Sequence, residues 1–231
     1  MDKFPVHTLT PLLILLTYLS AYKDGKLTCD RYLINSSLYL ITSISIFFTG
    51  LKTIHDQNIQ LEKKHKAGFG LLLLVLVFSL SYVKNNTIRH LMWFLILVLF
   101  SLILNYEKYD KELIEDTFKK MLLIVLLCVL IAIQFPQYIK PKMGTILIFG
   151  LLFVLVFRII DTFFFNKKYN TLISSIAVFI FSAFIIYDTD RIMKDAKECV
   201  KSKNPDYLNN MINMFLNLMN LFNNLIVMVE E

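Results

Sequence analysis

A row of asparagines runs along the last apolar segment of the chain, and amide groups can either hold cations or bond neighbouring helices. The row comprises Asn210, Asn213, Asn217, Asn220 and Asn224. At the α-helical rotation of about 100° per residue, these side chains fall within an arc of roughly 80°. Because an unpaired amide is costly in hydrocarbon, the row predicts the inner helix of a membrane bundle. Its asparagines should face other helices or a polar path.

A second polar group, Tyr187-Asp188-Thr189-Asp190-Arg191, stands where the preceding apolar segment gives way to charged residues. Asp188 either marks a helix end, paired with Arg191 three residues on, or reaches back into the bundle to bind a cation or a proton. The amide row also has two interpretations, which are interhelical hydrogen bonds and a lining of carbonyl oxygens for hydrated cations. The residue types alone leave both pairs of alternatives open.

Three further charged residues lie in or beside apolar segments. Arg158 and Asp161 are one helical turn apart near the end of their segment, so a local salt bridge with Arg158 snorkelling to the interface is expected. Lys84 stands between two segments, where it is either a loop lysine or a counter-charge for the acids.

Cysteines and histidines give no sign of a metal centre or a cofactor. Cys29, Cys128 and Cys199 show no CxxC spacing, and the four histidines are isolated. The sequence therefore predicts no disulfide framework, and it predicts that Cys128, inside an apolar run, is a packing residue. Hydrolase, kinase and nucleotide-binding motifs are missing from the sequence, so an enzyme is not expected.

Composition indicates what must position these groups. Hydrophobic residues make up 56% of the 231 residues, against roughly 45–50% in a soluble domain, and they lie in blocks separated by short charged loops. This layout predicts an all-α polytopic membrane protein, a seven-transmembrane-helix bundle, and the asparagine row makes the last helix the central one. The predicted spans are 32–51, 67–83, 88–105, 118–135, 143–165, 170–187 and 207–229.

The N-terminal segment has more than one interpretation. Residues 1–31 form a separate segment before a transmembrane domain at 32–229, and the apolar stretch 9–22 is an interfacial helix, a targeting sequence or an eighth span. The net charge is +6, with the basic residues scattered through the loops, so no nucleic-acid partner is expected. Basic residues are slightly more numerous on the side of the membrane that holds the N-terminus and every second loop. This difference favours a cytosolic N-terminus and a cytosolic loop at 188–206.

The sequences FIIYDTDRIM at 184–193 and PDYLNNMINMFLNLMNLFNNLI at 205–226 resemble the C-terminal signature of the Bax inhibitor family, which includes the lifeguard and Golgi anti-apoptotic branches. In that family the penultimate span ends in a Tyr-Asp-Thr element, and the last span carries a pattern close to LYLDIINLF. The matching stretch here is MFLNLMNLF at 214–222, and Asp206-Tyr207 fits the end of the preceding linker. Upstream, over 32–187, the chain resembles the family in the arrangement and apolar character of its predicted spans.

The resemblance implies a seven-helix fold with a central last helix, in the ER or Golgi membrane. It also implies a calcium leak coupled to suppression of cell death, with membrane lipid, transported calcium ions and apoptosis-regulating membrane proteins as partners. In the family, the acids of the two motifs form a proton-sharing pair that gates the leak. Asp188 matches the first acid, whereas Asn217, flanked by Asn213 and Asn220, occupies the place of the second. Lys84 and Arg191 are the candidate counter-charges.

The amide at position 217 changes the expected mechanism. Two close carboxylates repel and titrate as a coupled pair, but an amide cannot ionise. We therefore expect weakened proton gating, with the contact between Asp188 and Asn217 kept as a hydrogen bond. The alternative is a non-conducting scaffold that binds apoptosis or stress-signalling proteins through the segments 188–206 and 106–117. A small-solute or proton-coupled transporter is a third interpretation, which the lack of paired, broken helices disfavours.

Overall fold

Helices dominate the computed structural model, which describes residues 6–57, 59, 61–104, 111–202 and 205–230. A two-stranded hairpin (β1 Tyr22–Lys23, β2 Lys26–Leu27) and a 3-10 turn at Pro136–Tyr138 accompany the helices in these ranges. The prediction of an all-α, membrane-type chain is confirmed. The helices of the described ranges are α1 Val6–Ala21, α2 Tyr32–Asp56, α3 Lys63–Leu80, α4 Asn86–Ile103, α5 Lys111–Gln134, α6 Lys142–Phe164, α7 Asn170–Ser202 and α8 Tyr207–Glu230.

Within the described ranges, five helices are long and apolar enough to cross a bilayer, namely α2, α4, α6, α7 and α8. The apolar part of α1, Leu9–Ala21, is shorter than these. The count of seven spans, and the alternative of eight, therefore stay predictions. In α8, 56% of the most apolar stretch is buried, the largest share among the five helices, whereas the share in α6 is 11%. This difference supports the prediction that α8 is an inner helix.

The helix α7 extends well beyond the span predicted at 170–187. It runs to Ser202, so most of the predicted loop at 188–206 is helical, and residues 203–204 lie outside the described part. Hydropathy falls at Asp188, but backbone hydrogen bonding continues because neither Gly nor Pro interrupts the sequence before Ser202. The ion pair of Asp190 with Lys194, one turn on, supports the extension. The interpretation of Asp188 as a helix end is therefore wrong.

Backbone packing divides the chain into two units, and α7 and α8 contribute residues to both. The first unit comprises Met1–Lys108 with Asp195–Phe215. In it, α1 packs on α2, and α4 packs on both α2 and α3. Hydroxyl groups join α1 to α2, as in the bond of 2.7 Å between the Oγ1 atoms of Thr17 and Thr42. Such bonds satisfy polar side chains in an apolar surrounding, where water cannot do so.

The second unit comprises Tyr109–Lys194 with Leu216–Glu231. It contains α5, α6, the first part of α7 and the last part of α8. The large apolar side chains of α6 are mostly exposed, as at Ile146, Phe149 and Phe163. An apolar surface of this extent is typical of a helix that faces lipid.

The first unit contains a short hairpin, which was not predicted from the sequence. Asp24 and Gly25 form its two-residue turn, with φ angles of 51° and 75°. Asp-Gly is a favoured pair for such a turn because both positions need positive φ. The hairpin leads directly to Cys29.

A disulfide joins Cys29 to Cys199 within the first unit, with a Cα–Cα distance of 5.7 Å. The prediction of no disulfide framework is therefore wrong. The two cysteines are 170 residues apart, so sequence spacing gave no sign of the pairing that the extended α7 makes possible. Disulfides persist in oxidising compartments, which argues against a cytosolic position for the end of α7. Cys128 is a free, buried thiol, as expected of a packing residue.

Replacing Cys29 and Cys199 by serine should lower the stability of the protein by about 2–5 kcal/mol, because a disulfide across a long loop restricts the unfolded chain. The measurement is thermal unfolding of the purified protein in detergent, with and without reductant. Reductant should lower the midpoint of the wild type and of Cys128→Ala, and it should leave that of the double variant unchanged. A wild-type midpoint that is insensitive to reductant would contradict the pairing.

Candidate functional site

The penultimate helix carries a buried carboxylate that meets the last helix. Asp188 on α7 is 6% exposed, and its Oδ2 accepts a hydrogen bond of 2.7 Å from Asn217 Nδ2 on α8. Both residues belong to the second unit. A carboxylate offers only acceptors, so the amide nitrogen is the group that can satisfy it. The structure thus brings together the two residues that the family motifs single out.

The polar neighbours of Asp188 have partners within α7 itself. Thr189 Oγ1 donates to the carbonyl oxygen of Ile185, one turn earlier, over 2.7 Å. Asp190 Oδ2 pairs with Lys194 Nζ at 2.5 Å. Asp188 therefore differs from both neighbours in turning to another helix. This difference makes it the candidate for a functional acid, whereas Thr189 and Asp190 support the helix locally.

The amide row is buried to different degrees along α8. Asn210 and Asn224 are each 4% exposed, and Asn217 and Asn220 are partly buried. Asn213, by contrast, is exposed, which removes packing against other helices at that position and leaves the alternative of a polar path as a prediction. Helical rotation places all five on one face, but the neighbouring elements decide which of them are covered. Asn220 Nδ2 donates to the carbonyl oxygen of Leu216 in its own helix.

The two candidate counter-charges are both exposed. Lys84 lies in the first unit, between α3 and α4, and Arg191 lies on α7 three residues after Asp188. Their proposed role as counter-charges stays a prediction.

Arg158 on α6 bonds to two other helices in place of the predicted local pair with Asp161. Its Nη2 donates to Ser174 Oγ on α7 over 2.9 Å and to Asn224 Oδ1 on α8 over 2.8 Å. Asp161 Oδ1 accepts the backbone N–H of Tyr169 over 3.0 Å and so shapes the turn between α6 and α7. Among the described residues no salt bridge joins Arg158 to Asp161, so the predicted local pair is wrong, and each residue bonds to other partners.

A polar cluster at the start of α8, in the first unit, was not predicted. Arg89 on α4 pairs with Asp206, whose Oδ2 also accepts from Asn209 Nδ2 over 2.7 Å. Nearby, Asn210 Nδ2 donates to Asp195 Oδ2 over 2.7 Å. The sequence marked Asp206 as part of a motif, but its partner Arg89 lies 117 residues away and has no local signature.

The helices α6 and α7 approach closely beside Asp188, where Gly144 packs on the ring of Tyr187. A Cβ atom on Gly144 would lie 2.9 Å from Tyr187 Cζ, whereas one on Gly150 would meet the flexible end of Ile180 at 3.3 Å. Gly144→Ala should therefore destabilise the protein by about 1–3 kcal/mol by displacing Tyr187. Gly150→Ala, the matched control on the same helix, should cost less than about 1 kcal/mol. Equal midpoints of thermal unfolding for the two variants would contradict this packing.

The fold and the site define an integral, multi-pass α-helical membrane protein with a buried acid held by its last helix. A family model described as "Inhibitor of apoptosis-promoting Bax1" matches residues 31–230. The chain belongs to this Bax inhibitor family, which confirms the resemblance seen in its C-terminal motifs. The family is generally one of non-enzymatic membrane proteins.

A curated relative gives a partial match. The chain is 34% identical over 84 residues to an uncharacterized membrane protein of Vibrio cholerae serotype O1. The match covers 36% of this chain and 34% of the relative, so the chain spans about a third of the length of the relative it matches.

Proposed function

We propose that the protein is a calcium-leak channel of an internal membrane, the ER or Golgi, that modulates cell death. The observation that carries the proposal is the hydrogen bond between buried Asp188 and Asn217. Charged groups inside membrane helices are costly, and they commonly mark ion pathways. Asp188 is the principal cation-facing group, and Asn217 is its partner on α8.

The oxygen atoms at this site suit a calcium ion. Calcium prefers carboxylate and amide oxygens. Asn217 turns its amide nitrogen towards Asp188, which leaves its carbonyl oxygen as an acceptor. One full charge with neutral oxygens nearby attracts a divalent ion without the permanent binding that a cage of several carboxylates would give. Such a site favours the passage of calcium ions over their retention.

Proton gating is weak in this proposal. A pair of carboxylates shares protons through mutual repulsion and titrates in two coupled steps. Here one partner is an amide, so the site has one ionisable group where the family pattern has two. The leak should therefore respond gradually to pH.

The test is calcium release from loaded liposomes that contain the purified protein, followed from acid to alkaline pH. We expect release above that of protein-free liposomes, with a gradual dependence on pH. An absence of release at every pH would contradict the channel. A steep pH response that Asn217→Ala abolishes would contradict the weakened gating.

A non-conducting scaffold is the second candidate, and the extension of α7 favours it. Beyond Asp188 this helix presents exposed residues, including Arg191, Lys197, Glu198 and Val200, on which a protein partner could dock. Of the other predicted binding segment, residues 106–110 lie outside the described part, and 111–117 belong to α5. Replacing the exposed side chains of 191–200 separates the two candidates. Loss of cell protection with unchanged calcium release would favour the scaffold.

A further inference from the structure

A single guanidinium group ties three helices of the second unit together. Arg158 stands on α6, six residues before the helix ends at Phe164. It donates to Ser174 near the start of α7 and to Asn224 near the end of α8. A long basic side chain near a helix end can snorkel to the headgroups. Arg158 instead turns inward, to the face of α8 that carries the amide row.

Asn224 is the last asparagine of that row, and its orientation is fixed from both sides. Its Nδ2 donates to the carbonyl oxygen of Asn220 over 2.7 Å, so its Oδ1 is the atom that accepts from Arg158. Asn224 follows Asn217 by two helical turns, about 10 Å along α8. The guanidinium therefore lies at the end of the same face on which Asn217 meets Asp188.

The positive charge of Arg158 is only partly balanced. The oxygens that accept its hydrogen bonds, on Ser174 and Asn224, are neutral. Its Nε is buried and has no acceptor among the residues that the structure describes. Asp161, one turn along α6, attracts the guanidinium electrostatically, but its Oδ1 also accepts the backbone N–H of Tyr169. A cation moving along the row towards Asn224 would thus meet an opposing charge.

We propose that Arg158 closes the Asn224 end of the amide row to cations. It thereby sets the resting calcium flux of the leak and its selectivity among ions. The inference rests on the proposed calcium leak and assigns it a selectivity-determining residue. Coulomb repulsion scales with the charge of the ion, so the guanidinium opposes a divalent cation twice as strongly as a monovalent one. Removing the charge should therefore raise calcium flux more than potassium flux.

The experiment compares wild type with Arg158→Met, Arg158→Lys and Lys168→Met in liposomes, measuring the fluxes of calcium, potassium and chloride. Methionine keeps most of the side-chain length without the charge, and lysine keeps the charge. Lys168 is the matched control because it is exposed in the turn at the same end of α6, with its Nζ over the ring of Tyr169. We expect Arg158→Met to raise calcium flux about tenfold. This is the lower end of the changes in rate that charges lining a cleft produce for ions. Arg158→Lys and Lys168→Met should stay within about twofold of wild type.

The chloride flux separates an electrostatic role from loosened packing. A protein that merely packs poorly would pass anions as well, so chloride flux in Arg158→Met should stay at the wild-type level. Calcium release from wild type with no increase in Arg158→Met, or an equal rise in chloride, would overturn the role of Arg158 alone. If neither wild type nor Arg158→Met releases calcium above protein-free liposomes, the proposed leak fails and this inference fails with it.

Discussion

Calcium flux through liposomes that contain Asp188→Asn should fall at least about tenfold below that of wild type. The substitution keeps the size of the side chain and its ability to accept from Asn217 Nδ2, so the contact between α7 and α8 survives. The negative charge is lost, and with it the attraction that draws a divalent cation into a site of low dielectric constant. A tenfold loss corresponds to about 1.4 kcal/mol in the barrier to passage.

Asp190→Asn is the matched control for this experiment. Asp190 stands two residues further along α7 and is equally buried, at 4% exposed, but its carboxylate pairs with Lys194 in the same helix. Lys194 is itself half-exposed, so losing the pair should cost at most about 1 kcal/mol of stability. Its calcium flux should stay within about twofold of wild type. An equal loss in both variants would show that charge at position 188 has no special role.

Asn217→Asp should convert the gradual pH response into a steep one. The new carboxylate would face Asp188 across the distance of 2.7 Å that the hydrogen bond now spans. Two carboxylates this close share a proton when one is available and repel each other when both are ionised. Repulsion should separate α7 from α8, so we expect flux at alkaline pH to exceed flux at acid pH about tenfold.

Asn220→Asp provides the control for added charge. It places the same group one turn along α8, where the native side chain donates within its own helix. Its pH profile should follow that of wild type. Steep profiles in both variants would mean that any acid on this face of α8 suffices, and a flat profile in Asn217→Asp would contradict coupling to Asp188.

The last helix and its partner acid could be predicted from the sequence because their signals are local. The predicted span 207–229 and the observed α8, Tyr207–Glu230, differ by one residue. The motifs around Asp188 and Asn217 identified the two residues that meet. Periodicity and motif spacing are properties of one segment at a time, and both can be recognised in the sequence without knowledge of the fold.

The contacts that were missed depend on residues far apart in the chain. Cys29 meets Cys199 only because α7 continues past its apolar part, and a hydropathy pattern ends the span where the charges begin. The bond from Arg158 to Asn224 crosses 66 residues. The exposure of Asn213 likewise depends on which elements cover α8, and rotation along one helix cannot supply that information.

The most direct test of the account is the calcium flux of purified wild-type and Asp188→Asn protein, reconstituted at equal density and neutral pH beside protein-free liposomes. We expect clear flux for wild type and flux near the protein-free level for Asp188→Asn. Wild-type flux that the substitution leaves unchanged, or no wild-type flux at all, would contradict the claim that Asp188 faces the ion.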